Sequence, residues 1–269
     1  MIRKILYIST FILFLQIGSA NAGMTGSEEL KDTSSQNTAE ECFEGFSRAM
    51  FKFNHALDGA IFKPVAKGYR ALPVPIRKGT GNAVDNLRSL LTLSNHVLQG
   101  DFREAGTTAG RFAINTTVGI LGIFDPAAKL GLDEQGKEDF GQTLGRWGVD
   151  SGCYFVLPIL GPTTTRDAIG LVGNAFLDPV YHITHNNEVN AGIGNGNYSE
   201  HNYYYYRGTR AVDFRAKNIE SFDSLEENSI DLYASLKSLY LQNREKKIAN
   251  STSAVETQDD SDWEEIDTN

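Results

Sequence analysis

The sequence predicts a mainly α, single-domain fold built from short amphipathic helices joined by Gly-rich apolar connectors. Three observations carry this expectation. Apolar residues recur at alternating steps of three and four along several stretches, strand-like alternation is scarce, and Gly or Pro punctuates the chain where the helical spacing lapses.

The helical pattern begins abruptly at Phe43, where Phe43, Phe46, Met50, Phe53 and Leu57 form one apolar face. Gly59 and Pro64 are expected to end this helix. Pro73-Val74-Pro75 should form an extended turn, because a residue before proline avoids the helical region. A second helix carries Val84, Leu87, Leu91, Ser94 and Leu98, with Gly100 where a C-terminal cap belongs. Asp101 and Glu104 read as a capping box for a third, bearing Phe102, Ala105, Ala109 and Phe112. VGILGIF at 118–124 is apolar, Gly-punctuated and too short for a helix, and Asp125-Pro126 then starts a short one with Pro at its first position.

Residues 139–161 are too Gly-rich for a long helix and too apolar for an ordinary surface loop. Residues 163–177 read as helical, ended by Asp178-Pro179. Residues 184–202, with six Asn and three Gly, read as a polar loop. Two helices close the body: 204–225, with Val212, Ala216, Ile219 and Phe222 on one face, and 229–247, with Leu232, Leu236 and Leu239. Lys246 and Lys247 suit the C-terminal end of the helix dipole.

The two ends read differently. Arg3 and Lys4, the apolar stretch 5–17 and the small-residue run Ala20-Asn21-Ala22 form a secretory signal, so residues 1–22 are expected to be removed and Gly23 to start the mature chain. The apolar stretch is 13 residues and includes Ser9, Thr10 and Gln16, too short for the ~20 apolar residues that span a bilayer. Residues 23–40 read as a flexible leader and 41–247 as the domain. The tail 248–269 carries Glu256, Asp259, Asp260, Asp262, Glu264, Glu265 and Asp267 with no basic residue after Asn250, a composition that favours disorder. The formal net charge is −9, and −11 once the two basic residues of the signal are removed, so most of the acidity sits in the tail. A nucleic-acid partner, which needs a basic face, is not indicated.

Catalytic and cofactor motifs are weak. GLDEQGKE at 131–138 lacks the Ser or Thr that a phosphate-binding loop offers its magnesium ion, and its own acids would repel phosphate. GIGNGN at 192–197 has no strand before it, as a dinucleotide site requires. His182 and His185 have no nearby third ligand and read as solvated histidines rather than a metal site. G-x-S-x-G, HExxH and CxxC are absent, and Glu138-Asp139 reads as a capping or solvated pair rather than an acid and base. Neither an enzyme nor a resident cofactor or metal is expected.

Several stretches resemble the MlaA (VacJ) family: FEGFSRAMFKFN at 43–54, KPVAKGYR at 63–70, LQGDF at 98–102, GRFAINTTVGILGIFDPAAKLG at 110–131, EDFGQTLGRWGV at 138–149, and YFVLPILGP at 154–162 with Arg166-Asp167 after it. The resemblance covers about 41–245 and implies a ring-like helical protein lying in the periplasmic leaflet of the outer membrane. It further implies association with trimeric porins and passage of mislocalised phospholipid through a polar-lined channel toward a soluble periplasmic lipid carrier. Two alternatives compete with it: a porin-associated structural envelope protein, and a periplasmic hydrolase.

Under this resemblance the face of Phe43, Phe46, Met50, Phe53 and Leu57 is expected to meet lipid, contributing on the order of 8–15 kcal/mol as an upper bound. The aromatic run 203–206 reads as an interfacial belt. Asn54, Arg215, Lys237 and Arg244, beside apolar helix faces, are candidate lipid-path residues, because cations on amphipathic helices can snorkel and meet phosphate; the competing reading is solvated surface charge. The family's lipoprotein cysteine has no counterpart after Ala22, and Ala39-Glu40-Glu41 before Cys42 lacks a lipobox pattern, so lipidation is expected to be lost. Cys42 and Cys153 both stand where the family pattern has proline. Paired departures of this kind in an exported chain point to a disulfide, the alternative being two buried thiols. A bridge requires Cα atoms about 4.4–6.8 Å apart.

Overall fold

The computed structural model describes residues 39–185 and 200–249. The signal, almost all of the leader, the centre of the Asn-rich loop with its GIGNGN run, and nearly all of the acidic tail lie outside the described residues. The rest is mainly α, with one two-stranded antiparallel sheet among the described residues.

Helix α1 spans Glu44–Leu57 and does not stop at Gly59. A π-helical turn, Asp58–Phe62, carries it into α2, Lys63–Arg70, with the Lys63 N–H donating to the Asp58 carbonyl. Pro64 is tolerated because it falls in the first turn of α2, where its missing N–H costs little. The same principle shifts the next boundary. Pro73 is extended (ψ 141°), but Pro75 sits in the first turn of α3, Val74–Gln99, which therefore starts ten residues before the first residue of the predicted stripe. Gly100, at φ 79°, ends α3, and the Asp101 N–H reaches back 2.9 Å to the His96 carbonyl.

Asp101 precedes α4, Phe102–Thr117, but its side chain makes no capping bond and instead accepts from Arg146 at 3.1 Å; the predicted capping box does not form. After the turns of 118–124 comes α5, Pro126–Lys129, capped by Asp125, which accepts from the Ala128 N–H at 3.2 Å. Helix α6, Phe140–Arg146, is capped by Asp139. A hairpin that the sequence did not announce follows, with β1, Tyr154–Leu157, paired to β2, Gly161–Thr164, so that Tyr154 faces Thr164. Its strands have four residues each, too few for alternation to register.

Helix α7, Thr165–Leu177, is capped by Thr164. It ends at Leu177, where Asp178 turns extended as the sequence predicts, and Pro179 then opens a separate helix, α8, Pro179–His185. The predicted 204–225 helix is two: α9, Glu200–Lys217, and α10, Ile219–Asn228, broken at Asn218 (φ −115°, ψ 22°). Helix α11, Leu232–Ile248, is capped by Asp231. At the crossing of α6 and α7 only glycine fits. A Cβ on Gly170 would stand 2.5 Å from the Gly141 nitrogen, and one on Gly173 would stand 2.1 Å from the Phe140 ring.

Burial runs against the usual order. The apolar core is divided into small clusters, one of Ala39, Tyr154, Val156 and Tyr233, one of Ala66, Ala216 and Ile219, and one of Val84, Val180 and Tyr206. Among the described residues the buried set holds more polar and charged side chains than apolar ones, while large apolar side chains stand exposed on most elements.

Candidate functional site

Polar side chains line an open hollow of about 70 Å³ between α3, α4 and the segment 125–137. Helix α3 presents Asn82, Asp85, Asn86, Arg88, Ser89 and Thr92 to it, which the helical repeat places on one side. Helix α4 adds Thr108, Arg111 and Asn115, and the connecting segment adds Asp125, Glu134, Gln135 and Lys137. Much of the wall is fastened. Arg111 donates to Asp125 at 2.7 Å and also to the Leu132 carbonyl. Asn115 donates to Asp125 at 2.9 Å and accepts from the Ala127 N–H at 3.1 Å. Burial alone would raise the Asp125 carboxyl, but the bonds from Arg111 and Asn115 outweigh it and hold it below the usual carboxylate range. This network ties the Arg, Asn and Asp of the GRFAINTTVGILGIFDP string into one structural unit. Lys137 pairs with Asp85 at 2.8 Å and with Glu134 at 3.6 Å.

The loop 118–124 closes over one end of α3. Gly122 adopts φ 87°, and a Cβ there would come within 2.5 Å of the Asn86 Cβ. Ile120 and Leu121 also take positive φ, 53° and 58°, as does Ile159 at the hairpin tip with 67°. All three are exposed, together with Val118, Phe124 and Leu160.

The predicted membrane-facing stripe divides. Phe43, Phe46 and Phe53 are exposed, but Met50 is half-buried against the Tyr154–Tyr233 cluster and Leu57 is also half-buried. Met50 is therefore corrected from the lipid-facing set to the internal one. The outward apolar surface is instead continued by Ile61 and Val65. Of the aromatic run, Tyr204 and Tyr205 are exposed and Tyr206 is buried.

The four candidate lipid-path residues are engaged within the protein, and none lines the hollow. Asn54 bridges the hairpin, donating to the Leu157 carbonyl at 2.8 Å and accepting from the Ile159 N–H at 2.7 Å. Arg215 forms a two-pronged pair with Asp58 on the π turn, both bonds at 2.8 Å. Lys237 meets Glu41 at 2.7 Å. Arg244 holds Asp139 at 2.6 Å and Asp167 at 2.7 Å, drawing α6 and α7 onto α11, and with Arg166 it borders a second, roomier recess. Against the burial that would raise it, Arg244 pulls the Asp139 carboxyl well below its ordinary range. Each of these cations fastens elements distant in sequence to one another. Spacing could not show this, because every acid they meet is distant in sequence.

Cys42 and Cys153 are disulfide-bonded, with Cα atoms 5.5 Å apart. The bridge stands beside the Tyr154 N–H, which donates to the Glu40 carbonyl at 2.8 Å, so the segment before α1 is fixed to β1 twice. His182 and His185 turn to local acceptors, the Phe176 carbonyl at 2.7 Å and the Tyr181 carbonyl at 2.9 Å. Among the described residues no group of three or more His, Cys, Asp or Glu is placed to hold a metal ion, and no helix is long and apolar enough to cross a membrane.

A polar hollow inside a helical body whose apolar side chains face outward defines a class, a helical protein with its solvent preferences reversed. The chain belongs to the MlaA lipoprotein family, whose sequence pattern matches residues 39–247. It is 33% identical over 231 residues to the intermembrane phospholipid transport system lipoprotein MlaA of Haemophilus influenzae, covering 84% of this chain and 86% of that one. It is 37% identical over 145 residues to the protein of that name in Escherichia coli K12, and 40% identical over 146 residues to the protein RP093 of Rickettsia prowazekii, spanning 58% of each relative's length. A solved structure described as "Structural basis for maintenance of bacterial outer membrane lipid asymmetry" matches with a TM-score of 0.64 and 30% identity, over 78% of this chain and 99% of that one.

Proposed function

We propose that this chain is a non-enzymatic component of phospholipid transport at the bacterial outer membrane. It lies in the periplasmic leaflet with its apolar faces in lipid and removes mislocalised phospholipid from the outer leaflet. The phospholipid passes by the polar hollow to a soluble periplasmic carrier, in association with trimeric porins. The observation that carries this is the inverted burial. Monomeric soluble proteins rarely expose contiguous apolar patches of more than a few hundred Å², whereas here Phe43, Phe46, Phe53, Ile61, Val65, the 118–124 loop, the hairpin tip and Ile169, Val172 and Phe176 of α7 are all exposed.

Short amphipathic helices bind a leaflet without crossing it, and irregular backbone is tolerated at membrane depth where it borders a polar cavity. The relatives' names and the apolar exterior both support this reading. The test is deletion of the gene followed by measurement of outer-leaflet phospholipid. Accumulation reversed by the wild-type gene is the expected result, and unchanged asymmetry would point to the purely structural, porin-associated role. Turnover of labelled phospholipid by the purified protein would establish the hydrolase instead.

A further inference from the structure

The lining of the hollow holds three acids and three cations, but they are not paired one to one. Asp125 is taken by Arg111, and Asp85 and Glu134 share Lys137. Arg88, on the same wall, has no hydrogen bond or ion pair among the described residues, and its Nε is buried without a partner. Its surroundings do not neutralise it. Burial foremost, and then the repulsion of Arg210 on α9, push its guanidinium down to about 10, with Asp85 and Asp139 offsetting only part. Lys247 on α11 adds a further cation that feels Arg88.

Two more orphans line the same hollow. Thr92 lies four residues after Arg88 and therefore on the same face of α3, and Thr108 lies on α4; both hydroxyl oxygens are buried with no partner. Each buried polar atom left unpaired costs free energy, and such groups in a native fold call for an explanation. One planar cation with two hydroxyl donors is the donor set that a phosphate oxygen group accepts from, with guanidinium supplying two parallel N–H bonds.

We propose that Arg88, Thr92 and Thr108 form a seat for a phosphodiester, the headgroup phosphate of a phospholipid paused in the hollow. The proposal rests on the transport function above and adds to it the place where the moving lipid is held. Arg111 and Lys137 do not compete for the phosphate, since their charge is already spent on carboxylates of the wall. A lipid bound this way has its polar head against α3 and α4.

The test uses the mature, disulfide-bonded protein in an uncharged detergent, with dihexanoyl-phosphatidylethanolamine as the probe and ³¹P NMR titration as the readout. Wild type is expected to bind saturably, and dihexanoylglycerol, which lacks the phosphate, is expected not to compete. Arg88→Gln should weaken binding about tenfold or more, and Arg88→Lys should restore only part of it. Thr108→Val removes a hydroxyl that has no partner in the protein, so it leaves folding intact and should weaken binding about threefold. Undiminished binding in both Arg88→Gln and Thr108→Val overturns the seat. Competition by inorganic phosphate as effective as the lipid's own also overturns it, by assigning the group to free phosphate.

A photo-crosslinking residue at Asn82, on the wall of the hollow, separates this proposal from the transport function. Labelled phospholipid captured there in cells, with binding unchanged in the variants, leaves the route and removes the seat. Absence of capture, together with absence of binding, removes both.

Discussion

At the scale of single residues, the molecule is held by charges that a surface reading would have left in water. Arg244 is largely buried and meets two acids from two other helices. Removing one partner of a buried pair strands the other charges. Arg244→Ala is therefore expected to destabilise by about 3–5 kcal/mol, read by urea unfolding in detergent, whereas Lys237→Ala, at a more exposed pair, should cost less. Glu138 carries the opposite strain. It is 4% exposed, Gln99 donates to it at 2.9 Å, and burial, with Asp139 beside it, pushes its carboxyl up to about 7 from 4.5. A carboxyl raised in the folded state binds more protons folded than unfolded, so stability falls as pH rises from about 4.5 to 7. Asp139, depressed below 3.8, works the other way and loses its contribution only as pH drops beneath that value. Glu138→Gln should leave stability at pH 4 nearly unchanged and raise it at pH 8, by at most on the order of 3 kcal/mol. Thermal melts at the two pH values check this, and an equal shift at both would contradict it.

At the scale of elements, the apolar connectors behave as built projections rather than as slack. Ile159 is 65% exposed and holds φ 67° at the hairpin tip, a conformation that costs a β-branched residue about 1–2 kcal/mol. Asn54 fixes that tip by bonding on both sides of it. Ile159→Asn, which tolerates the left-handed region, is expected to stabilise the detergent-solubilised protein by up to about 1 kcal/mol and to weaken partition into phospholipid vesicles. Leu121→Glu in the 118–124 loop should weaken partition more strongly while leaving the circular dichroism unaltered. Vesicle flotation of the two variants measures both effects, and undiminished flotation would show that these tips are not in lipid. For α1 the share is smaller than the five-residue stripe suggests. Phe43, Phe46 and Phe53 can bury in lipid, roughly 5–9 kcal/mol as an upper bound at ~1.5–3 kcal/mol each, while Met50 already packs internally.

At the scale of the whole molecule, one covalent bond spans much of the chain. The disulfide closes a sequence separation of 111 residues, for which chain-entropy reasoning gives roughly 4–5 kcal/mol, as a model-dependent upper value. Cys42→Ser with Cys153→Ser should therefore lower stability by up to that amount, and reducing agent should do the same to wild type without affecting the double variant. With Cys42 held in this bond, its sulfur is not available to carry lipid. The mature protein is expected to fractionate with the outer membrane through its apolar surface. Recovery as a freely soluble protein would contradict that.

What the sequence determined by itself was whatever depends on neighbours within a turn or two: the helical class, the Gly100 terminus, the short helix after Asp125 and the family resemblance carried by unbroken strings such as EDFGQTLGRWGV. Proline misled the reading at Pro64 and Pro75, because a proline in the first turn of a helix looks in sequence like a proline that ends one. Tertiary structure alone decided which way each face points and what each charge meets. Helical periodicity marks a stripe without saying whether lipid or protein covers it, so Phe46 and Met50 separate only once β1 and α11 are in place. The partner of Arg215 lies 157 residues away and those of Arg244 lie 105 and 77 away, and the hollow in which Arg88 makes no ion pair exists only because α3 and α4 fold back against each other. Local spacing carries no signal for any of these, since each pairing is made by helices whose separation in space has no fixed relation to their separation along the chain.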